Sequence, residues 1–171
     1  MSLIEPGLWR DIRVPGRREN APALFLDRDG TLIDLVDYLS DPAEVRLIEG
    51  VVEIVREANR TGVAVVVVTN QSGIGRHYYD WDAFEAVQNR LYDLLGGANA
   101  FVDAVYACSD LPPGAGGAAI SVFRKPAPGM LLRARDDLGL SLAESRIFGD
   151  AATDLAAGKA AGLKAGILVE T

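Results

Sequence analysis

A chain of 171 residues that is 49% hydrophobic and 24% charged has the length and makeup of one well-packed globular domain, which excludes a disordered or repetitive protein. Its formal charge of −7 excludes a nucleic-acid binder of the usual basic kind, because phosphate backbones are held by clustered lysine and arginine. The longest pure apolar run, residues 63–68, is far too short to span a bilayer.

Residues 1–20 carry no clear periodicity. With Gly7, Pro15, Gly16 and the basic pair Arg17-Arg18, they read as an N-terminal arm (residues 1–21) packed on the surface of one domain, residues 22–171. Residues 1–13 also lack the continuous apolar core of a signal peptide. Residues 23–26, Ala-Leu-Phe-Leu, lie between Pro22 and Asp-Arg-Asp-Gly and fit a strand covered on both faces, as in a parallel sheet. Asp27 then stands at its carboxyl end. Strand alternation turns Asp27 and Asp29 toward one cavity and Arg28 away from it, and Gly30 lets the backbone turn sharply there. Two carboxylates that close repel, which invites a cation between them or a raised pKa on one. A simple turn after a strand has the same Asp-Gly signature, whereas an EF-hand loop needs glycine sixth and glutamate twelfth, places held from Asp27 by Leu32 and Tyr38.

Residues 32–49 contain the turn signal Asp41-Pro42 and read as a small flap over the site, where Asp37 and Tyr38 touch substrate or simply cover core. Residues 50–62 place Val51, Val52, Val55 and Ala58 on one helical face, with Gly62 as a C-terminal cap. Residues 63–69, valine-rich and uninterrupted, predict a central parallel strand. It runs into Thr69-Asn70-Gln71-Ser72-Gly73, whose hydroxyl, amide and backbone donors suit a phosphate or a plain polar loop. Asp80 caps a second helix bearing Phe84, Val87, Leu91, Leu94 and Leu95. A third strand follows over 101–107, then an exposed loop over 109–123 rich in glycine, proline and alanine. That loop ends in Arg124-Lys125-Pro126, two cations able to neutralise an anion. Pro128 opens a helix. A short strand over 146–149 delivers Asp150, with Asp154 one turn into an alanine-rich helix, and residues 165–169 supply the last strand.

Strands alternating with helices imply a Rossmann-like α/β three-layer sandwich with a central parallel sheet and no large cap domain. Such sheets bind ligands beyond the carboxyl ends of their strands, where Asp27, Thr69 and Asp150 all fall. Asp27, Asp29 and Asp150 form a carboxylate cluster suited to Mg²⁺, which with Lys125 screens the approach of a carboxylate to an anionic phosphate. Asp27 then accepts the phosphoryl group.

Asp27-Arg-Asp-Gly-Thr31, Thr69 in Val-Val-Thr-Asn-Gln-Ser-Gly, Lys125 in Arg-Lys-Pro, and Asp150 with Asp154 in Gly-Asp-x-x-x-Asp resemble, in order, the four motifs of the haloacid dehalogenase superfamily. The fuller wording, with Thr-Asn-Gln-Ser-Gly-Ile and Arg-Lys-Pro-x-Pro-Gly-Met-Leu, is similar to the D-glycero-D-manno-heptose 1,7-bisphosphate phosphatases and their histidinol-phosphatase relatives. The resemblance implies Asp27 as nucleophile, Asp29 as general acid, and Mg²⁺ held by Asp27, the Asp29 carbonyl and Asp150. It implies phosphoryl contacts from Thr69 and Lys125, substrate contacts from Asn70, Gln71, Ser72 and Arg124, and Asp154 orienting the metal shell. The heptose phosphatases usually carry a zinc loop, Cys-x-His and Cys-x-Cys, whose places here hold Cys108, Asp110, Ser121 and Phe123. Zinc is therefore not expected, since a structural site needs four nitrogen or sulfur ligands. Ala151 and Ile33 also depart from the usual residues, and both bear on the substrate. The function implied is a Mg²⁺-dependent phosphomonoesterase for a small phosphorylated metabolite of the heptose bisphosphate type. Alternatives are a phosphatase for another monoester, such as histidinol phosphate, and a phosphosugar-binding protein without turnover. Cys108 is the only cysteine, so no internal disulfide forms, and a cytoplasmic monomer is expected, with no membrane or nucleic-acid partner.

Overall fold

The computed structural model describes residues 1–16, 19–116 and 121–170, so the basic pair Arg17-Arg18 and part of the 109–123 loop lie outside the described residues. The strands are β1 (Ser2–Glu5), β2 (Leu8–Ile12), β3 (Ala23–Leu26), β4 (Ala64–Asn70), β5 (Ala104–Cys108), β6 (Arg146–Gly149) and β7 (Ala165–Leu168). The helices are α1 (Val51–Thr61), the single turn α2 (Ser72–Gly75), α3 (Trp81–Gly97), α4 (Gly129–Leu138) and α5 (Ala152–Ala161). One seven-stranded sheet runs in the order β1-β2-β5-β4-β3-β6-β7.

The valine run of β4 shows why the central strands lack alternation. Val65 and Val67 pack with Val55 of α1 and Phe84, Val87 and Leu91 of α3. Val66 and Val68 face the other way, onto Met130, Leu131 and Ala134 of α4 and Ala157 of α5. Both faces of the sheet are dry, so every position is apolar and the period of two disappears. The same holds for β3, whose Leu24 and Leu26 join the first layer and Ala23 and Phe25 the second. Asp80 Oδ1 accepts from the Ala83 backbone N–H at 2.9 Å, and Gly62 and Gly162 end α1 and α5 in the left-handed conformation. No helix among the described residues is long and apolar enough to cross a membrane.

The first twelve residues differ from a surface arm. β2 pairs antiparallel with β5 and β1 with β2, which adds an antiparallel edge to the parallel sheet. Leu8 and Trp9 are fully buried. Trp9 packs edge-on against Phe84 at 4.9 Å between ring centroids, and its Nε1 donates to Glu85 at 2.8 Å. Arg10 and Asp11 obscure the strand in the sequence, and their partners, Asp137 and Tyr92, come from distant helices.

β3 sits between β4 and β6, with Leu26 opposite both Val67 and Phe148. In-register parallel pairing brings the carboxyl ends of the three strands to one rim. The chain ends of β3, β4 and β6 therefore place Asp27, Thr69 and Asp150 together. The flap contributes more to the core than expected, since Leu32, Ile33, Leu39 and Val45 are buried.

Candidate active site

Lys125 is the cation at the centre of the rim. Its Nζ lies 2.9 Å from Asp27 Oδ1 and 2.6 Å from Asp154 Oδ1, and donates to the Val68 carbonyl at 2.7 Å. Burial alone would lower the pKa of this ammonium, but the two carboxylates beside it hold it above its ordinary value. Asn70 fixes the lysine backbone from the end of β4, donating through Nδ2 to the Lys125 carbonyl and accepting its N–H at Oδ1, both at 3.0 Å. The amide expected to meet substrate is thus engaged in positioning Lys125.

Asp27, Asp150 and Asp154 each present a carboxylate oxygen, all within 4.8 Å of one another. This trio differs from the cluster of Asp27, Asp29 and Asp150 read from the sequence, because Asp154 occupies the place given to the Asp29 side chain. Two glycines admit the carboxylates. A Cβ on Gly30, which adopts φ +80°, would come within 2.3 Å of Asp150 Oδ2, and one on Gly149 within 2.3 Å of Asp154 Oδ2. Burial pushes the Asp27 carboxyl up to about 6; Lys125 pulls it down and Asp154 adds to the rise. Asp150 is raised as well, by burial and then by Asp154. Three converging carboxylates, two of them reluctant to ionise, fit a hard divalent cation that takes oxygen ligands. Asp154 is already committed, with Oδ1 on Lys125 and Oδ2 accepting from the Ala151 N–H at 3.0 Å, so it lends charge to the group more than a free ligand.

Asp29 stands beside this group and turns to other partners. Arg28 does not point away; it folds back so that Nε and Nη2 each donate to the Asp29 carboxylate at 3.1 Å, with its guanidinium 5.0 Å from the Phe84 ring centroid. Gln71 Nε2 donates to Asp29 Oδ2 and to Thr69 Oγ1, both at 2.8 Å. Thr69 is buried, with its hydroxyl 3.5 Å from Asp29 Oδ2. Asp29, Ser72, Asp37 and Tyr38 line a cavity of about 250 Å³ between the flap and α2, so the flap does form one wall of the site. Arg124 lines a second cavity, of about 310 Å³, with Lys125, Pro112, Pro113 and Thr153, and donates through Nη1 to the Asp110 carbonyl at 2.9 Å.

The four places of the zinc pattern do not fit that metal. Burial pushes the Cys108 thiol up to about 11, and it lies 3.7 Å from Ser121 Oγ. Ser121 Oγ accepts from the backbone N–H groups of Phe123 and Arg124 at 3.1 and 2.9 Å, so a hydroxyl ties the base of the loop together. Arg28, and Tyr79, which lines the first cavity and donates its hydroxyl to Gln71 Oε1, are site residues the sequence did not single out. The i, i+2 rule removed Arg28 from consideration, and Tyr79 carries no spacing signal.

A family model described as haloacid dehalogenase-like hydrolase matches residues 30–162. A D-glycero-beta-D-manno-heptose-1,7-bisphosphate 7-phosphatase of Mesorhizobium japonicum is 49% identical over 172 residues, covering 98% of this chain and 79% of the relative. A crystal structure described as a HAD-like phosphatase from Mesorhizobium loti superposes with a TM-score of 0.90 at 49% identity, over 97% of this chain and 81% of that one. The D,D-heptose 1,7-bisphosphate phosphatase of B. bronchiseptica, complexed with magnesium and phosphate, has a TM-score of 0.76 at 29% identity, over 86% of this chain and 79% of that one.

Proposed function

We propose, from the premise that this chain belongs to the haloacid dehalogenase-like hydrolases and is a phosphoric monoester hydrolase, that it dephosphorylates a sugar phosphate of the D-glycero-D-manno-heptose 1,7-bisphosphate type, with Mg²⁺ and through an aspartyl phosphate. The observation that carries the mechanism is Lys125 Nζ at 2.9 Å from Asp27 Oδ1, at the carboxyl end of β3. The substrate class is supported by the names of the relatives.

A carboxylate oxygen of Asp27 attacks phosphorus and the ester P–O bond breaks, while protonated Asp29 gives its proton to the leaving oxygen. Asp29 then takes a proton from water, whose oxygen attacks the same phosphorus. The bond to Asp27 breaks, releasing phosphate and restoring both carboxyl groups. Lys125 and the Thr69 hydroxyl hold the phosphoryl oxygens; Ser72 and Arg124, lining the two flanking cavities, meet the rest of the substrate. Asp27, the Asp29 carbonyl and Asp150 would hold Mg²⁺, with Asp154 behind them, and the ion supplies the positive charge that lets a carboxylate approach an anionic phosphoryl group.

Phosphate release from heptose 1,7-bisphosphate, histidinol phosphate and other small monoesters tests the reading. Turnover fastest on the heptose bisphosphate and lost on chelation is the expected result. A faster rate on histidinol phosphate would replace the substrate, and binding of phosphosugars without any turnover would overturn the reaction.

The carboxyl pKa values add a prediction about stability. Asp27 rises from 3.8 to about 6 on folding, so its favourable contribution is complete below 3.8 and is lost as pH rises through 6. The loss is at most about 3 kcal/mol, and Asp150 shifts in the same direction. Mg²⁺ needs the ionised forms. Its effect on the thermal midpoint is expected to be larger at pH 7.5 than at pH 5 by about 3–8 °C, and equal shifts at the two values would count against the carboxylate site.

A further inference from the structure

We propose that Tyr79 is a positioning residue for the hydrolysis: its hydroxyl holds the Gln71 amide in the one orientation in which that amide donates to Asp29, and so fixes where the acid stands. The inference rests on the reading of Asp29 as general acid.

The assignment follows from donor and acceptor chemistry. Asp29 Oδ2 already accepts from Arg28 Nε, a group that can only donate, at 3.1 Å, and so presents an acceptor to Gln71. The Gln71 atom 2.8 Å from Asp29 Oδ2 is therefore the amide nitrogen, and its second proton is used by Thr69 Oγ1, also at 2.8 Å. The amide oxygen then faces Tyr79, whose hydroxyl donates to it. Every hydrogen-bonding position of a side chain only 3% exposed is thus specified by its surroundings, apart from one lone pair of the oxygen. The tyrosine is suited to be the fixed end. Burial pushes its pKa up to about 12, so it stays a donor at any working pH. Its ring is seated against Gly73, where a Cβ would stand 2.2 Å from Tyr79 Cε1 and 2.9 Å from Tyr38 Cδ1. Without the hydroxyl, the buried amide oxygen loses its donor and the amide is anchored only through its nitrogen, on Asp29 and Thr69, so the position it gives Asp29 is no longer fixed from behind. Gln71 thereby moves from substrate contact to support of the acid.

A displaced general acid has a specific kinetic signature. Expelling a sugar alkoxide requires Asp29 to deliver its proton as the P–O bond breaks, whereas p-nitrophenolate and acetate leave without it. Tyr79→Phe keeps the ring and removes only the hydroxyl. It is expected to lower the single-turnover rate of leaving-group release from heptose 1,7-bisphosphate about tenfold, the equivalent of one hydrogen bond, with KM within about twofold. On p-nitrophenyl phosphate and acetyl phosphate its loss is expected to stay within about twofold, which also reports that the variant is folded. Because Asp29 also takes the proton from water in the second step, which all three substrates share, the comparison is made on the first step, the single-turnover release of the leaving group, where Asp29→Asn is expected to show the same selectivity with a larger loss. If Asp29→Asn is selective in that step and Tyr79→Phe loses equally on all three phosphorylated compounds, or on none, the positioning role is overturned. If Asp29→Asn itself slows leaving-group release equally on all three, the general-acid reading beneath it fails.

Discussion

Asp27→Asn is expected to lower phosphate release by about four orders of magnitude or more, the range seen when a nucleophile is removed, with the fold intact. The amide is close to isosteric, and the Arg28 N–H that donates to Asp27 Oδ1 at 2.8 Å keeps an oxygen to meet. Lys125 loses one carboxylate but retains Asp154 at 2.6 Å and the Val68 carbonyl at 2.7 Å, so no buried charge is stranded. What disappears is, among the described residues, the one carboxylate that both touches Lys125 and directly follows β3. The substitution also takes one of the three oxygens that converge within 4.8 Å, so the Mg²⁺-dependent rise in thermal midpoint should shrink in parallel. Without the cation, the variant is expected to match or exceed the native protein in stability at pH 7.5, because it lacks a carboxyl whose ionisation opposes folding there. Phosphate release and urea unfolding on the same preparations read both effects. Turnover above about 1% of native would remove Asp27 from the nucleophile's role.

The placement of the acids was legible because it depends on strand ends, and strand ends are marked in sequence. Apolar runs that stop abruptly, at Leu26 before Asp27 and at Val68 before Thr69, specify a dry parallel sheet and the rim beyond it. Direction within the rim was not legible. Asn70 and Lys125 are 55 residues apart and Gln71 and Asp29 are 42 apart, and no local pattern states that an amide at a strand end will meet protein in preference to ligand. Asp154 entered the carboxylate trio because Gly149 lets it pack on the end of β6, a contact set by the start of α5. Arg28 was misread for a related reason. Strand alternation ends where β3 ends, and the turn that follows brings its guanidinium back onto Asp29. β2 was missed because its burial depends on a partner strand, β5, nearly a hundred residues away, and β1 because it is a mostly exposed strand paired with β2.

Lys125→Met tests the electrostatic core of the site and is expected to reduce both stability and turnover. Methionine has nearly the length and volume of the lysine stem, so packing is conserved while the charge is lost. Lys125 is 2% exposed and lies between Asp27 and Asp154, the latter 1% exposed. Removing it leaves two converging carboxylates and the Val68 carbonyl without their donor. Breaking a buried pair in this way costs about 3–5 kcal/mol, because the remaining charges keep their desolvation penalty and gain mutual repulsion. The sign of the pH dependence follows from the same charges. With Lys125 gone, the positive charge that pulls the Asp27 carboxyl down is absent, so its folded pKa rises further above the unfolded value. Stability is then fully retained only in acid and is lost as pH rises through that higher value. The deficit relative to the native protein should therefore be small near pH 4 and large near pH 7.5. Mg²⁺ is expected to recover part of it at pH 7.5 by supplying positive charge to the same carboxylates, while kcat stays about a thousandfold below native because the phosphoryl oxygens have lost their fixed cation. Urea midpoints at the two pH values, with and without Mg²⁺, separate these effects. A deficit equal at both values would mean that the loss comes from packing rather than from the stranded charges.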